Sequence, residues 1–209
     1  MRLTLAGSGS ARHVVRRSTF IARAAPIRDV GMLNEWLTGL RALHPNARHY
    51  PYAWRALDGA SKVSDDGEPS GTGGRSCLGV LLRVGVSGAA VAVARIFGGI
   101  LLGAGNLGRA YGMAAGDAVT AAGTVVVYRW TWVRVEVGYE GLPAVERILE
   151  VVGAEDVERQ YSGQAMLRAR IPFSAWSALG REVPQAQWQR EGETWGRDPS
   201  SRTAGRLRE

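Results

Sequence analysis

A chain of 209 residues with one cysteine, Cys77, and one lysine, Lys62, lacks the material for several chemistries. A lone thiol excludes an internal disulfide framework and any multi-thiolate metal site, and it fits a reducing compartment. Cys77 opens an apolar run with no base beside it, which points to a buried thiol and not a nucleophile. The three histidines, His13, His44 and His49, show no HExxH or other ligand spacing. No apolar run approaches the ~18 residues of a membrane span. The short apolar stretch at residues 3–7 falls below the core of a secretory signal. These absences lead us to expect a soluble, cytoplasmic protein with no membrane partner.

What is present is a core and a localised charge. Hydrophobic residues make up 45% of the chain, too many for intrinsic disorder, and the length allows one large or two small domains. Basic residues exceed acidic ones by 26 to 19, a net charge of +7, with arginine supplying all of the basic residues except Lys62. Residues 1–62 hold ten basic side chains against Asp29, Glu35 and Asp58, and the later segments are balanced, so the whole excess belongs to that first stretch. A segmental positive field favours polyanions, such as RNA or acidic protein surfaces, by raising encounter rates without specifying a partner.

Periodicity supplies the organisation. Residues 14–24 read as a strand, and Met32, Leu33, Trp36, Leu37, Leu40 and Leu43 place one apolar stripe on a helix ending before Pro45. Residues 47–55 are extended, with Pro51 marking an edge strand or bulge. The apolar runs 78–86 and 91–97, separated by Ser87-Gly88-Ala89, predict a hairpin. A helix follows over about 106–122, where Gly108, Gly112 and Gly116 share a face open to close approach by another backbone. Beyond Gly123 come a strand at 124–137, a helix at 142–152, strands at 156–160 and 164–171, and a short helix from Phe173. That β-α-β-β-α order predicts a ferredoxin-like α+β domain. The resulting division is 1–122, 123–190 and a disordered polar tail at 191–209.

Three constellations carry chemistry. In the first, Asp65-Asp66-Gly67-Glu68-Pro69-Ser70-Gly71, three carboxylates within four residues suit a hard cation such as Mg2+, with Ser70 adding oxygen. The structural alternative is a solvated loop bonded to its own backbone. In the second, Arg95 leads through Gly98, Gly99, Gly103 and Gly105 to Arg109 and Tyr111. A strand passing through glycines into a helix N-terminus suits an anion, and packing is the alternative. The third interleaves Arg48, His49, Tyr50, Tyr52, Trp54 and Arg55. Aromatics beside arginines hold single-stranded RNA by stacking and phosphate contact, unless the aromatic face is core.

Taken with Arg17-Ser18-Thr19-Phe20, these blocks resemble the IMPACT family and its bacterial, YigZ-like members. The resemblance rests on His49-x-x-Tyr52-Ala53, on DDGEPSGTGG at 65–74 and on RIFGGILLGAGNLGRAY at 95–111. It implies a first domain similar to ribosomal protein S-five domain 2 and elongation factor G domain IV, and a second similar to domain V of that factor. It further implies a regulator of translation. Departures include Arg17 for a usual lysine, Trp54 for a tyrosine, and Leu101 for a polar or basic residue.

The leading expectation is a non-enzymatic binding protein that engages RNA, the ribosome or a translation-related protein, needs no cofactor, and uses His49, Tyr52, Arg55, Arg95 and Arg109 as contacts. One alternative is an Mg2+-dependent enzyme of phosphate or RNA chemistry using Asp65, Asp66 and Glu68. A pure protein-interaction module is the other. The pattern sets no oligomeric state.

Overall fold

A computed structural model describes residues 1–198, which divide into two compact units, Arg2–Val125 and a second beginning at Val126. The first unit is a five-stranded sheet between helices. Its strands are β2 (Gly9–Val15), β3 (Ser18–Pro26), β4 (Tyr52–Arg55), β5 (Ser61–Ser64) and β6 (Ala89–Ile96), in the order β2-β3-β6-β4-β5, after a short β1 (Arg2–Leu5). The expected single strand at 14–24 is instead the antiparallel pair β2–β3, joined by the two-residue turn Arg16-Arg17.

Central strand β6 is buried on both faces from Ala89 to Arg95, which explains its unbroken apolar reading. One face meets α1 (Val30–Leu43) through Leu33, Trp36, Leu37 and Leu40, packed on Trp54, Tyr50, Ala90, Ala92 and Ala94. Asp29 caps this helix by accepting the Met32 N–H at 2.9 Å. The other face meets α2 (Gly74–Val84) and α3 (Ala104–Ala122) around Phe20, Val91, Val93, Cys77, Leu81 and Tyr111.

Three expectations fail in this unit. Residues 78–86 are not a hairpin strand but the body of α2, which Gly85 ends in a left-handed conformation at φ 80°; a short apolar run does not separate a buried strand from a buried helix face. Pro51 marks no edge: it precedes β4, which lies between β6 and β5, and its carbonyl accepts the Val93 N–H at 3.0 Å. Of the aligned glycines of α3 only Gly108 is approached by another backbone, where a Cβ would lie 3.7 Å from the Thr72 carbonyl oxygen, whereas a Cβ at Gly112 or Gly116 would meet nothing within 4 Å.

The second unit is ferredoxin-like. Its elements run β7 (Thr124–Val137), α4 (Leu142–Val151), β8 (Glu155–Tyr161), β9 (Ala165–Pro172), α5 (Trp176–Glu182) and β10 (Gln187–Gly196). All its pairings are antiparallel, in the order β10-β7-β9-β8, the fourth-first-third-second arrangement of a βαββαβ unit. Val133, Val135, Leu167, Ala169 and Ile171 face α4 and α5. The tail expectation is therefore wrong up to Gly196, because the polar stretch Glu191–Gly196 is half of the edge strand that completes the sheet, while 199–209 lie outside the described residues.

Candidate functional site

The loop after β5 turns sharply at Asp66 (φ 46°) and Gly67 (φ 84°), and this sends its three carboxylates in three directions. Asp65 points inward and accepts the backbone N–H groups of Gly71, Gly73 and Gly74 at 2.8, 3.0 and 2.8 Å, acting as a distant N-terminal cap for α2. Burial opposes its charge, but these donors and the nearby Arg75 outweigh it and hold its carboxyl below the usual carboxylate range. The glycines are required by closeness: a Cβ at Gly73 would lie 2.5 Å from the Pro51 Cβ, and one at Gly74 would lie 2.4 Å from the Ser64 carbonyl.

Asp66 turns toward the start of the aromatic block. Its carboxylate accepts the Tyr50 N–H at 2.7 Å and an Arg41 N–H at 2.9 Å. Burial again opposes the charge, and Arg41, the Tyr50 N–H and His49 override it to lower the pKa. The Asp66 carbonyl lies 2.8 Å from His49 Nδ1. A carbonyl only accepts, so Nδ1 carries the hydrogen in this contact.

Glu68 goes to the core. Its Oε1 accepts from Arg95 at 2.6 Å and from the Tyr111 hydroxyl at 2.7 Å. Phe20 meets the Tyr111 ring edge-on at 5.0 Å, and the Arg95 guanidinium lies 5.6 Å and 5.4 Å from the Phe20 and Phe97 ring centres. Burial, then Glu68, pushes the Tyr111 hydroxyl far up, which fixes it as a donor. Cys77 beneath is pushed up to about 12, by burial and then by Asp65, so it is an inert thiol.

The remaining sites scatter. Tyr52 is half-buried in the α1 cluster, its phenol raised by burial and by Asp66. Arg55 spends a guanidinium N–H on the Val86 carbonyl at 3.0 Å, and Ser70 is exposed at the loop tip. Exposed Arg109 reaches back to the Gly105 carbonyl at 3.3 Å. Gly99 and Gly103 supply positive φ, and a Cβ at Gly98 would strike the Arg17 backbone carbon at 2.1 Å.

The fold thus joins His49, Asp66, Glu68, Arg95 and Tyr111 into one framework and leaves Arg55, Ser70 and Arg109 apart from it. Arg41 and Phe20 are its unforeseen members. Phe20 stood in the Arg17–Phe20 block, whereas Arg41 in the last turn of α1 carried no signal. Among the described residues no group of three histidine, cysteine, aspartate or glutamate side chains is placed to hold a metal ion. The three loop carboxylates that motivated an Mg2+ site each have protein partners instead. No helix among those residues is long and apolar enough to cross a membrane.

Comparison with known proteins bears on the same blocks. The family model described as Impact N-terminal domain matches residues 16–119. The chain is 33% identical over 162 residues to IMPACT family member YigZ of Escherichia coli strain K12, covering 76% of this chain and 79% of that protein. A Thermus thermophilus IMPACT family member encoded in the pol 5′ region is 35% identical over 147 residues, 70% of this chain and 78% of the relative. A crystal structure described only as that of a hypothetical protein superposes with a TM-score of 0.70 at 28% identity, covering 91% of this chain and 97% of the other.

Proposed function

The chain belongs to the IMPACT family, and from that premise we propose that it is a cytoplasmic, non-enzymatic regulator of translation that binds RNA through its basic first unit. The supporting observation is electrostatic. Of the fourteen basic side chains in Arg2–Val125, Arg41 and Arg95 alone form ion pairs with carboxylates among the described residues. Six of the seven carboxylates there are already engaged, Glu35 on α1 being the exception: Asp29 and Asp58 bond backbone N–H groups, Asp65, Asp66 and Glu68 hold the loop, and Asp117 takes His13 at 2.7 Å. The second unit contrasts with this, since six of its nine described arginines, Arg129, Arg134, Arg159, Arg168, Arg170 and Arg190, have carboxylate partners. An uncompensated positive surface on one unit is what phosphate contact requires.

The test is fluorescence titration of single-stranded and structured RNA at two salt concentrations. Affinity should fall steeply with salt, by about 0.7 in log–log slope for each single-strand phosphate neutralised. Undetectable or salt-independent binding to every RNA would reject RNA as the ligand and leave a protein-interaction module.

A further inference from the structure

The residues first expected to touch a polyanion are, in Arg55 and Arg95, committed to the protein itself. The unpaired charge lies elsewhere, on the β2–β3 hairpin. Its two-residue turn, between the paired Val15 and Ser18, is Arg16-Arg17, with φ of 44° and 68°. Positive φ at both central positions is the type I′ turn, which selects Asn-Gly or Gly-Gly because a side chain there costs roughly 1–2 kcal/mol per residue. Two exposed arginines occupy it. The strain brings no visible internal gain, since neither side chain forms an ion pair, hydrogen bond or ring contact among the described residues, and strain of that kind points to function.

The hairpin face continues the pattern. Cross-strand pairing places Ser10 opposite Arg23 and Arg12 opposite Ile21, so Arg12 and Arg23 are diagonal neighbours on one face, with Val14 beyond them 62% exposed. This is the α1 side of the sheet, where the α1 clusters take in Ile21 and Ala25 of β3 but no residue of β2, and Arg12 is exposed and Arg23 half-buried. Residues 1–28 contain no carboxylate to offset the arginines, and Asp117 is engaged on the opposite face with His13. The tip is also braced: Gly98 approaches so closely that a Cβ would lie 2.1 Å from the Arg17 carbonyl carbon, and its N–H donates to Ser18 Oγ at 3.2 Å. A rigid tip loses little freedom on binding.

Resting on the RNA-binding reading above, we propose that this hairpin is the phosphate-backbone contact, with Arg16 and Arg17 at its tip and Arg12 and Arg23 along its open face. The test replaces the turn by the pair its geometry prefers, Arg16→Asn with Arg17→Gly, which removes two charges and relieves the backbone. A control, Lys62→Gln with Arg83→Gln, removes two exposed charges elsewhere in the same unit. Titrating a labelled single-stranded RNA at about 50 and 200 mM salt, the hairpin variant should bind roughly tenfold more weakly, with a slope shallower by about 1.4, and melt at or above the wild-type temperature. The control should stay within about twofold of wild type. Equal losses in both variants, or an unchanged hairpin variant, would overturn the hairpin assignment and leave RNA binding standing. A wild-type protein that binds no RNA would overturn both.

Discussion

The Glu68 carboxylate lies 2.6 Å from the Arg95 guanidinium with side-chain exposures of 3% and 7%, so an acidic loop residue and a strand residue form a buried ion pair. Tyr111 adds a second donor to the same oxygen, yet Arg95 Nε has no partner, so the site has no spare acceptor to absorb a loss. Replacing Glu68 by Gln removes the charge opposite a buried guanidinium and should destabilise the first unit by about 3–5 kcal/mol. The Glu68→Leu, Arg95→Met double variant should recover most of that loss, because neither charge is then buried. Urea unfolding followed by tryptophan fluorescence measures both; equal losses in single and double variants would show that the pair is not what matters.

Asp65 and Asp66 predict an acid limit. Both folded-state pKa values lie below their ordinary value, so both stabilise the fold at and above the normal aspartate range and withdraw that support as pH falls through the lowered values. Stability of the first unit should therefore decline below about pH 4. Asp65→Asn keeps the shape but loses the charge that three N–H groups share, and should cost about 2 kcal/mol at neutral pH and flatten the acid decline. Thermal melts from pH 3 to pH 7 follow both effects, and a variant as pH-sensitive as wild type would refute the assignment to Asp65.

Much of this was legible in the residues, and the failures have specific causes. The α1 stripe and the alternation at Tyr50, Tyr52 and Trp54 were readable because each pattern buries one face. Residues 78–86 were not, because an apolar run inside a three-layer unit looks alike as helix or strand. At the loop, composition showed three carboxylates but not that positive φ at Asp66 turns them apart. Arg41 had no signature because its role depends on where α1 ends relative to a loop 25 residues later.

The glycines separate into those that cannot accept a side chain and those that can. Gly98→Ala would force a methyl into the Arg17 backbone at 2.1 Å and should destabilise by about 2–3 kcal/mol or displace the hairpin. Gly112→Ala and Gly116→Ala enter open space on a helix and should each stabilise by up to about 1 kcal/mol. Melting temperatures of the three variants decide it, and a loss at Gly112 or Gly116 would mean that this face of α3 is covered by a partner.

The polar strand β10 gives the last prediction. Its composition resembles a solvated tail, but Trp188 packs into the core of the second unit, and Trp130 and Thr131 on β7 donate hydrogen bonds to the carbonyls of Arg197 and Gly192. An edge strand needs one apolar face and its ladder, not apolar residues throughout, and Arg129–Glu193 and Arg168–Glu191 pairs hold the rest. Ending the chain at Ala186 would strip β7 of one of its neighbours, leaving β9, and remove Trp188 from beside the core. Hydrogen exchange of the shortened chain should then show β7 and β9 amides losing most of their protection while β3 and β6 keep theirs. Full protection of β7 and β9 would mean that three strands suffice and that the strand is an accessory edge.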